Sequence, residues 1–173
     1  MKALIISDNH RDQEILKQVV AEMAPQVDVL IHCGDSELSP TAVPMPQFAA
    51  VKGNNDYRLD YPNELLVQEG SERIFTTHGH LYRVNSSLTP LMLKGEEVGA
   101  TIVCYGHTHQ LGVEYDHGML IINPGSISLP RGKYAGLGGT FAIVDAQPTR
   151  FVVDFYDRQM AAVSQLHCEF NRQ

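Results

Sequence analysis

The sequence predicts an α/β (α+β) fold in which two packed, mixed β-sheets are flanked by a few helices. Three observations carry this. Residues 2–7, 11–23 and 27–33 read as strand, helix and strand, the opening unit of a parallel sheet. The second half holds short apolar runs separated by turn signals, as antiparallel strands do. Several apolar runs end in Gly, Asp, Asn or His, so metal-competent side chains gather at one edge of a sheet.

Taken in order, the first strand runs into Asp8-Asn9-His10. Ile15, Leu16, Val19, Val20 and Met23 then recur at helical spacing, and Pro25 ends the helix. The second strand runs into Gly34-Asp35. Prolines at 40, 44 and 46 mark a loop, after which residues 47–51 read as a short strand entering Gly53-Asn54-Asn55-Asp56. Residues 65–68 and 73–77 form a hairpin whose second strand delivers His78-Gly79-His80. Thr89 is placed as a helix cap with Pro90 at the first position, and this helix runs to Val98 before Gly99. Residues 100–105 are too short and too β-rich for a helix, and they lead into Gly106-His107-Thr108-His109. Residues 112–115, 119–122, 140–146, 150–156 and 163–170 complete the strands.

At 173 residues the chain fits one domain, 1–173, long enough to bury about 70% of its unfolded surface. Its apolar runs fall well short of the roughly 20 residues that cross a bilayer, and its start leads into a strand without an apolar leader. A cytoplasmic protein with no membrane partner is therefore expected. The net charge of −7, from 20 acidic and 13 basic residues, argues against an extended nucleic-acid surface. A phosphate substrate stays compatible, because bound divalent cations invert the local sign. Cys33, Cys104 and Cys168 are odd in number and lack CxxC spacing, so they read as reduced, packed side chains.

Collected by position after a strand, the ligand candidates are Asp8, His10, Asp35, Asn54, His78, His107 and His109. Imidazoles mixed with carboxylate and amide oxygens suit Mn²⁺, Fe²⁺, Ni²⁺ or Zn²⁺ better than Mg²⁺ or Ca²⁺. Seven ligands exceed the need of one ion. Two ions about 3.5 to 4 Å apart, sharing one carboxylate, fit the count and form a clamp for in-line displacement at phosphorus. If His107 and His109 lie on an extended segment, their side chains diverge, and each serves a different ion.

Asp8-Asn9-His10, Gly34-Asp35, Gly53-Asn54, Thr77-His78-Gly79-His80 and Gly106-His107-Thr108-His109 resemble, in order, the motifs of the calcineurin-like metallophosphoesterases. The compact size, Gly53-Asn54-Asn55-Asp56 and Asn123-Pro124-Gly125-Ser126 are most similar to the small YfcE/YsnB-type phosphodiesterases. The resemblance implies a four-layer αββα sandwich. It also implies that Asp8, His10, Asp35 and His109 hold one metal and Asp35, Asn54, His78 and His107 the other, with Asp35 as the bridge. The implied cofactor is two divalent ions, Mn²⁺ first among them. The implied reaction is attack of a metal-bridging hydroxide on a small phosphodiester or phosphomonoester. Asp35, Asn54 and His80 are the residues placed at the reacting centre.

The chain departs from many members of that family at Asn55, where they carry a histidine acting toward the leaving group. A neutral amide is a poor proton donor. Substrates with good leaving groups, or protonation through water or His80, are therefore expected. His80 lines the site, supports a ligand or is polar loop. His32, His117 and His167 read as hydrogen-bonded packing, Asn9 and Asp56 as turn residues. Arg11, Arg131 and Lys133 read as surface charge, with a phosphate contact by Arg11 or Arg131 as the sharper alternative. Asn123 and Gly125 shape the floor of the site. The rival functions are a non-catalytic protein-binding scaffold, as in the retromer subunit that resembles this family, and a metal-binding regulatory module. The filled ligand set favours the hydrolase. The oligomeric state is left open, with a homo-oligomer admitted.

Overall fold

The computed structural model describes residues 1–172. Among them, strands β1 (Lys2–Ile6), β2 (Val29–His32), β3 (Ala49–Ala50), β9 (Thr140–Ala146), β10 (Arg150–Asp157) and β11 (Cys168–Asn171) form one sheet, in the order β11-β10-β9-β1-β2-β3. Strands β4 (Glu64–Glu69), β5 (Glu72–Thr77), β6 (Ile102–Cys104), β7 (Gly112–Asp116) and β8 (Met119–Asn123) form the other, in the order β4-β5-β6-β8-β7. In each sheet three strands are parallel, β1-β2-β3 and β5-β6-β8, and the flanking strands run antiparallel.

The alternation along the strands sorts side chains into layers. Ala3 and Ile5 of β1, Ile102 and Cys104 of β6, Leu120 and Ile122 of β8, and Ala142 and Val144 of β9 all enter the core between the sheets. Leu4, Ile6, Phe141 and Ile143 point the other way, onto Ile15, Leu16, Val19 and Met23 of α1 (Gln13–Met23). Val103, Met119 and Ile121 face Leu91 of α2 (Thr89–Glu97). The result is the helix, sheet, sheet, helix order of a four-layer sandwich. The fully buried Leu16 alone contributes about 1.5 to 3 kcal/mol of hydrophobic stabilisation.

Several boundaries differ from the sequence reading. Helix α1 starts at Gln13 rather than residue 11, because Asp12 Oδ1 accepts the Ile15 N–H at 3.2 Å and caps it. Thr89 lies inside α2, and the hydroxyl of Ser87 takes its N–H at 3.1 Å. Of residues 47–51 only Ala49–Ala50 pair as strand, after a 3₁₀ turn at Met45–Gln47. The strand expected over 163–170 is confined to Cys168–Asn171, because a 3₁₀ turn at Ser164–Leu166 precedes it. Leu166 is buried by that turn rather than by strand alternation. A further 3₁₀ segment, Gly132–Leu137, carries no periodicity that the sequence reading used.

The arrangement fixes where function can sit. The carboxyl ends of β1, β2, β3, β5 and β6, all parallel strands, lead into the five motif loops. That is the edge where open α/β sheets place their ligands, and here both sheets contribute to it.

Candidate metal centre

The loops at this edge are tightly wound. Asp8, His10, Arg11, Asp35, Glu37, His107 and His109 all have left-handed backbones, with φ between 44° and 70°. Such a conformation costs roughly 1–2 kcal/mol per non-glycine residue and concentrates where a site over-determines the chain. It also overturns one expectation. His107 and His109 do not diverge because their segment is extended; the segment bends at both residues, and the bends aim the rings apart.

Motif glycines let the loops meet. A Cβ on Gly53 would collide with the backbone nitrogen and carboxylate of Asp35, and one on Gly106 with the Ser7 hydroxyl. Through these contacts β1, β2, β3 and β6 converge on one point.

Two ligand groups result. In the first, His109 Nε2 lies 3.2 Å from Asp8 Oδ1 and His10 Nε2 lies 3.9 Å from it, with the two imidazole nitrogens 3.2 Å apart. In the second, Asp8, Asp35 and His78 approach one another, with His78 Nε2 at 3.5 Å from Asp35 Oδ2 and 3.1 Å from Asn54 Oδ1. Asp8 thus belongs to both groups. The His107 ring stands 5.1 Å from that of His78, and His80 lies 5.4 Å from His78 and 6.1 Å from His107. All the sequence-derived candidates are brought together, His109 in the first group and His107 beside the second.

The donor chemistry asks for cations between these atoms. Nδ1 of His109 faces the carbonyl of Leu129 at 2.7 Å, and Nδ1 of His78 faces that of Cys33 at 2.7 Å. A carbonyl only accepts, so in the neutral rings both Nδ1 atoms carry the proton and both Nε2 atoms present lone pairs. Those lone pairs point at carboxylate and amide oxygens and, for His109, at another imidazole nitrogen. Asp8 Oδ1 is buried with no hydrogen-bond partner. A set of converging acceptors without donors is satisfied by protons or by metal ions, and the ligand types fit divalent ions.

The electrostatics agree. Burial opposes ionisation of Asp35, but the His78 hydrogen bond and charge, with the donors of Asn55, overcome it and hold the carboxyl well below its ordinary range. Burial works against protonation of His78, yet Asp35 and Asp8 raise its pKa. The adjacent Asp8 carboxylate raises His109 in the same direction. Burial and neighbouring histidines push His80 and His107 down, leaving neutral imidazoles.

Support around the ligands comes from residues whose reading changes. Asp56 is no ordinary turn residue: it is fully buried and accepts the N–H groups of Asp35 at 2.8 Å, Glu37 at 2.6 Å and Gly53 at 2.7 Å. Asn9, also expected in a turn role, is fully buried and accepts from His32 Nε2 at 2.9 Å. His32 is the packed histidine expected, accepting the Gly34 N–H at 3.1 Å, with burial lowering its pKa to about 4. His117 and His167 are exposed and pair with Glu96 and Asp154. Asn123 donates to the Gly106 carbonyl at 2.9 Å, and Ser126 donates to the Asp8 carbonyl at 2.8 Å. Asn55 donates twice to Asp35, from its backbone at 2.7 Å and its amide at 2.6 Å.

Arg11 is engaged by Glu37 at 2.8 Å, and Lys133 lies over the Tyr134 ring. Arg131 is exposed and close enough to depress protonation of His109. Beside the histidine loops a groove of about 300 Å³ opens between Val84, Asn85 and Leu88 on one side and Tyr105, Thr108 and Gln110 on the other.

The chain matches the calcineurin-like phosphoesterase superfamily domain over residues 1–149. It is 41% identical over 158 residues to the probable metallophosphoesterase YsnB of Bacillus subtilis (strain 168), covering 91% of this chain and 92% of that one. Among solved structures it superposes on a conserved uncharacterized protein, a "predicted phosphoesterase", of Streptococcus pneumoniae TIGR4, with TM-score 0.94, 35% identity and coverage of 99% and 97% of the two chains. Vacuolar protein sorting 29 of Cryptosporidium parvum shares the fold at TM-score 0.76 and 18% identity, covering 99% and 98%.

Proposed function

The chain belongs to the calcineurin-like phosphoesterase superfamily, and from that premise we propose that it is a dinuclear metal-dependent phosphodiesterase acting on small or exposed phosphoesters. One observation carries the dinuclear part: two ligand groups meet at Asp8, whose buried Oδ1 has no hydrogen-bond donor. On the family pattern Asp8, His10, Asp35 and His109 would hold one ion and Asp35, Asn54, His78 and His107 the other, with Asp35 shared; the side chains as they stand put Asp8 in both groups and Asp35 in the second alone. When bound, the ions would supply an acidified water as nucleophile and positive charge against the phosphoryl oxygens. Mn²⁺ is the first ion to test, before Ni²⁺, Fe²⁺ and Zn²⁺.

The remaining roles fall to side chains. Carbonyls of Leu129 and Cys33 orient His109 and His78, and Asn55 orients Asp35. The leaving oxygen takes its proton from water, which the neutral ring of His80, beside His78 and His107, helps to orient. Arg131, exposed and near enough to act on His109, would meet a phosphate oxygen, and the groove along Leu88 and Tyr105 would receive the organic part of the ester. A diester is preferred on the resemblance of the motifs to those of the small phosphodiesterases. Reduced Cys33, Cys104 and Cys168 fit a cytoplasmic setting, and no helix among the described residues is long and apolar enough to cross a membrane.

The test is metal analysis coupled to a panel of phosphomono- and phosphodiesters with added Mn²⁺. Turnover of diesters by protein carrying two ions is expected. Two bound ions without turnover of any ester would instead favour a scaffold, the reading that the vacuolar sorting protein's shared fold keeps in view.

A further inference from the structure

Glu37 lies outside every motif, yet its side chain holds a candidate ligand directly. Its Oε1 meets Nδ1 of His10 at 2.9 Å, and its Oε2 accepts from Arg11 Nε at 2.8 Å. The Glu37 side chain is 18% exposed and that of Arg11 77%, so the carboxylate is tucked against the ring while the guanidinium reaches over it from solvent. Both ends of this contact are anchored through the backbone. Glu37 donates its N–H to Asp56, and the N–H groups of His10 and Arg11 bond the carbonyls of Asp35 and Ser36 at 3.1 and 3.0 Å.

We propose that Glu37 is a positioning residue for His10, and that Arg11 serves to hold Glu37 rather than to bind substrate phosphate. A carboxylate only accepts, so it fixes the proton of the neutral ring on Nδ1 and turns the Nε2 lone pair toward Asp8 and His109. His109 and His78 are fixed in the same sense by carbonyls; His10 is fixed by a charged side chain that itself has a partner. The inference rests on the dinuclear reading above and assigns its first metal position a support that no sequence motif marks.

The test is titration of metal-free protein with Mn²⁺, with elemental analysis of the loaded chain, for the wild type, Glu37→Ala, Glu37→Gln and Arg11→Ala. Loss of such a support typically costs 10–100-fold in metal affinity. Glu37→Ala is therefore expected to weaken one position by about 10–100-fold and spare the other, with the melting temperature of the metal-free chain unchanged. Glu37→Gln keeps an acceptor for Nδ1 and should retain most of the affinity. Arg11→Ala should weaken the same position by a smaller factor and leave KM for a phosphodiester unchanged. The proposal is overturned by two wild-type affinities in Glu37→Ala, by equal loss at both positions, or by Glu37→Gln binding as weakly as Glu37→Ala. Should Glu37→Ala fail to fold, the other two variants decide: a raised KM with unchanged metal affinity in Arg11→Ala gives that side chain to the substrate and overturns the pairing. A wild-type chain that takes up no ion overturns the dinuclear reading itself, whereas two ions bound alike in wild type and Glu37→Ala remove only the role of Glu37.

Discussion

Asn55 takes both oxygens of Asp35, its backbone N–H on Oδ1 at 2.7 Å and its side-chain amide on Oδ2 at 2.6 Å. An amide so committed orients a carboxylate and, being far too weak an acid, does not protonate a leaving group. Hydrogen bonds to charged groups contribute about 1.5–3 kcal/mol, so Asn55→Ala should lower kcat/KM by roughly 10- to 100-fold. The dependence of rate on leaving-group pKa should be steep in the wild type and keep its slope in the variant. A flat wild-type dependence, measured with chemistry rate-limiting, would refute the absence of a strong acid.

The two histidines of the β6 loop are set apart, His109 in the first ligand group against Asp8 and His107 beside the second, its ring 5.1 Å from that of His78. His107→Ala should therefore empty chiefly one metal position and His109→Ala chiefly the other, as read by metal stoichiometry. Asp35→Ala should empty both. Equal loss of both ions in the two histidine variants, with folding intact, would contradict the division. If Asp8→Ala emptied both positions and Asp35→Ala one, the shared ligand would be Asp8.

Gly53 is where two loops touch without room for a methyl group, because a Cβ there would fall on Asp35. Gly53→Ala should cost about 1–3 kcal/mol of stability through overpacking and should abolish metal uptake before it abolishes folding. Circular dichroism and metal analysis on the same sample separate the two. Wild-type metal content in Gly53→Ala would show that the loops have slack.

Glu72 and Arg172 join the two sheets away from the site, with Arg172 bonded to both carboxylate oxygens at 2.7 and 3.1 Å and its guanidinium 4.4 Å over the Phe151 ring. Arg172→Ala leaves the Glu72 carboxylate without its ion partner, though still bonded by Ser71, and should destabilise by about 1–3 kcal/mol. Burial resists ionisation of Glu72, but Arg172 prevails and its pKa is lowered. The sign follows: the carboxylate's stabilisation is fully present above the unfolded pKa of about 4.3 and is lost as pH falls through the lower folded value. Denaturant titrations below pH 5 should show that loss in the wild type and not in Glu72→Gln; identical acid limbs would remove the pair from the stability of the fold.

The groove beside the histidines gives a substrate-side check. Leu88→Trp should fill it and raise KM for bulky diesters several-fold, while small phosphomonoesters keep theirs. Equal KM changes for both classes would place the organic group elsewhere.

The layered fold was legible because β1, β6, β8 and β9 are short apolar runs, buried almost throughout, and such a run is a local pattern. The ligands were legible because each lies within a few residues of the end of a strand, in most cases beside a glycine whose necessity is also local. What escaped depends on approach between distant segments. Nothing near Asp56 reveals that its carboxylate will accept N–H groups from Asp35 and Glu37, about twenty residues earlier, and Glu37 looks like the start of a loop until His10 arrives beside it. The bends at His107 and His109 were misjudged for the same reason. Left-handed backbones on non-glycine residues have only a weak sequence signature, an enrichment of Asn, Asp and His, since surrounding contacts enforce them.

The candidate ligands are divided between the two sheets: Asp8, His10, Asp35 and Asn54 follow strands of one, and His78, His107 and His109 follow strands of the other. Ions held among them would work as rivets through a seam, so that prying the sheets apart at this edge means releasing metal. Free ion at 100 times its dissociation constant adds about 2.7 kcal/mol to stability, and chelation should withdraw that support first from the loops and only afterwards from the layered core. The protein would then register loss of its metal as a loosening of the mouth between its sheets, with α1 and α2 still packed on their outer faces.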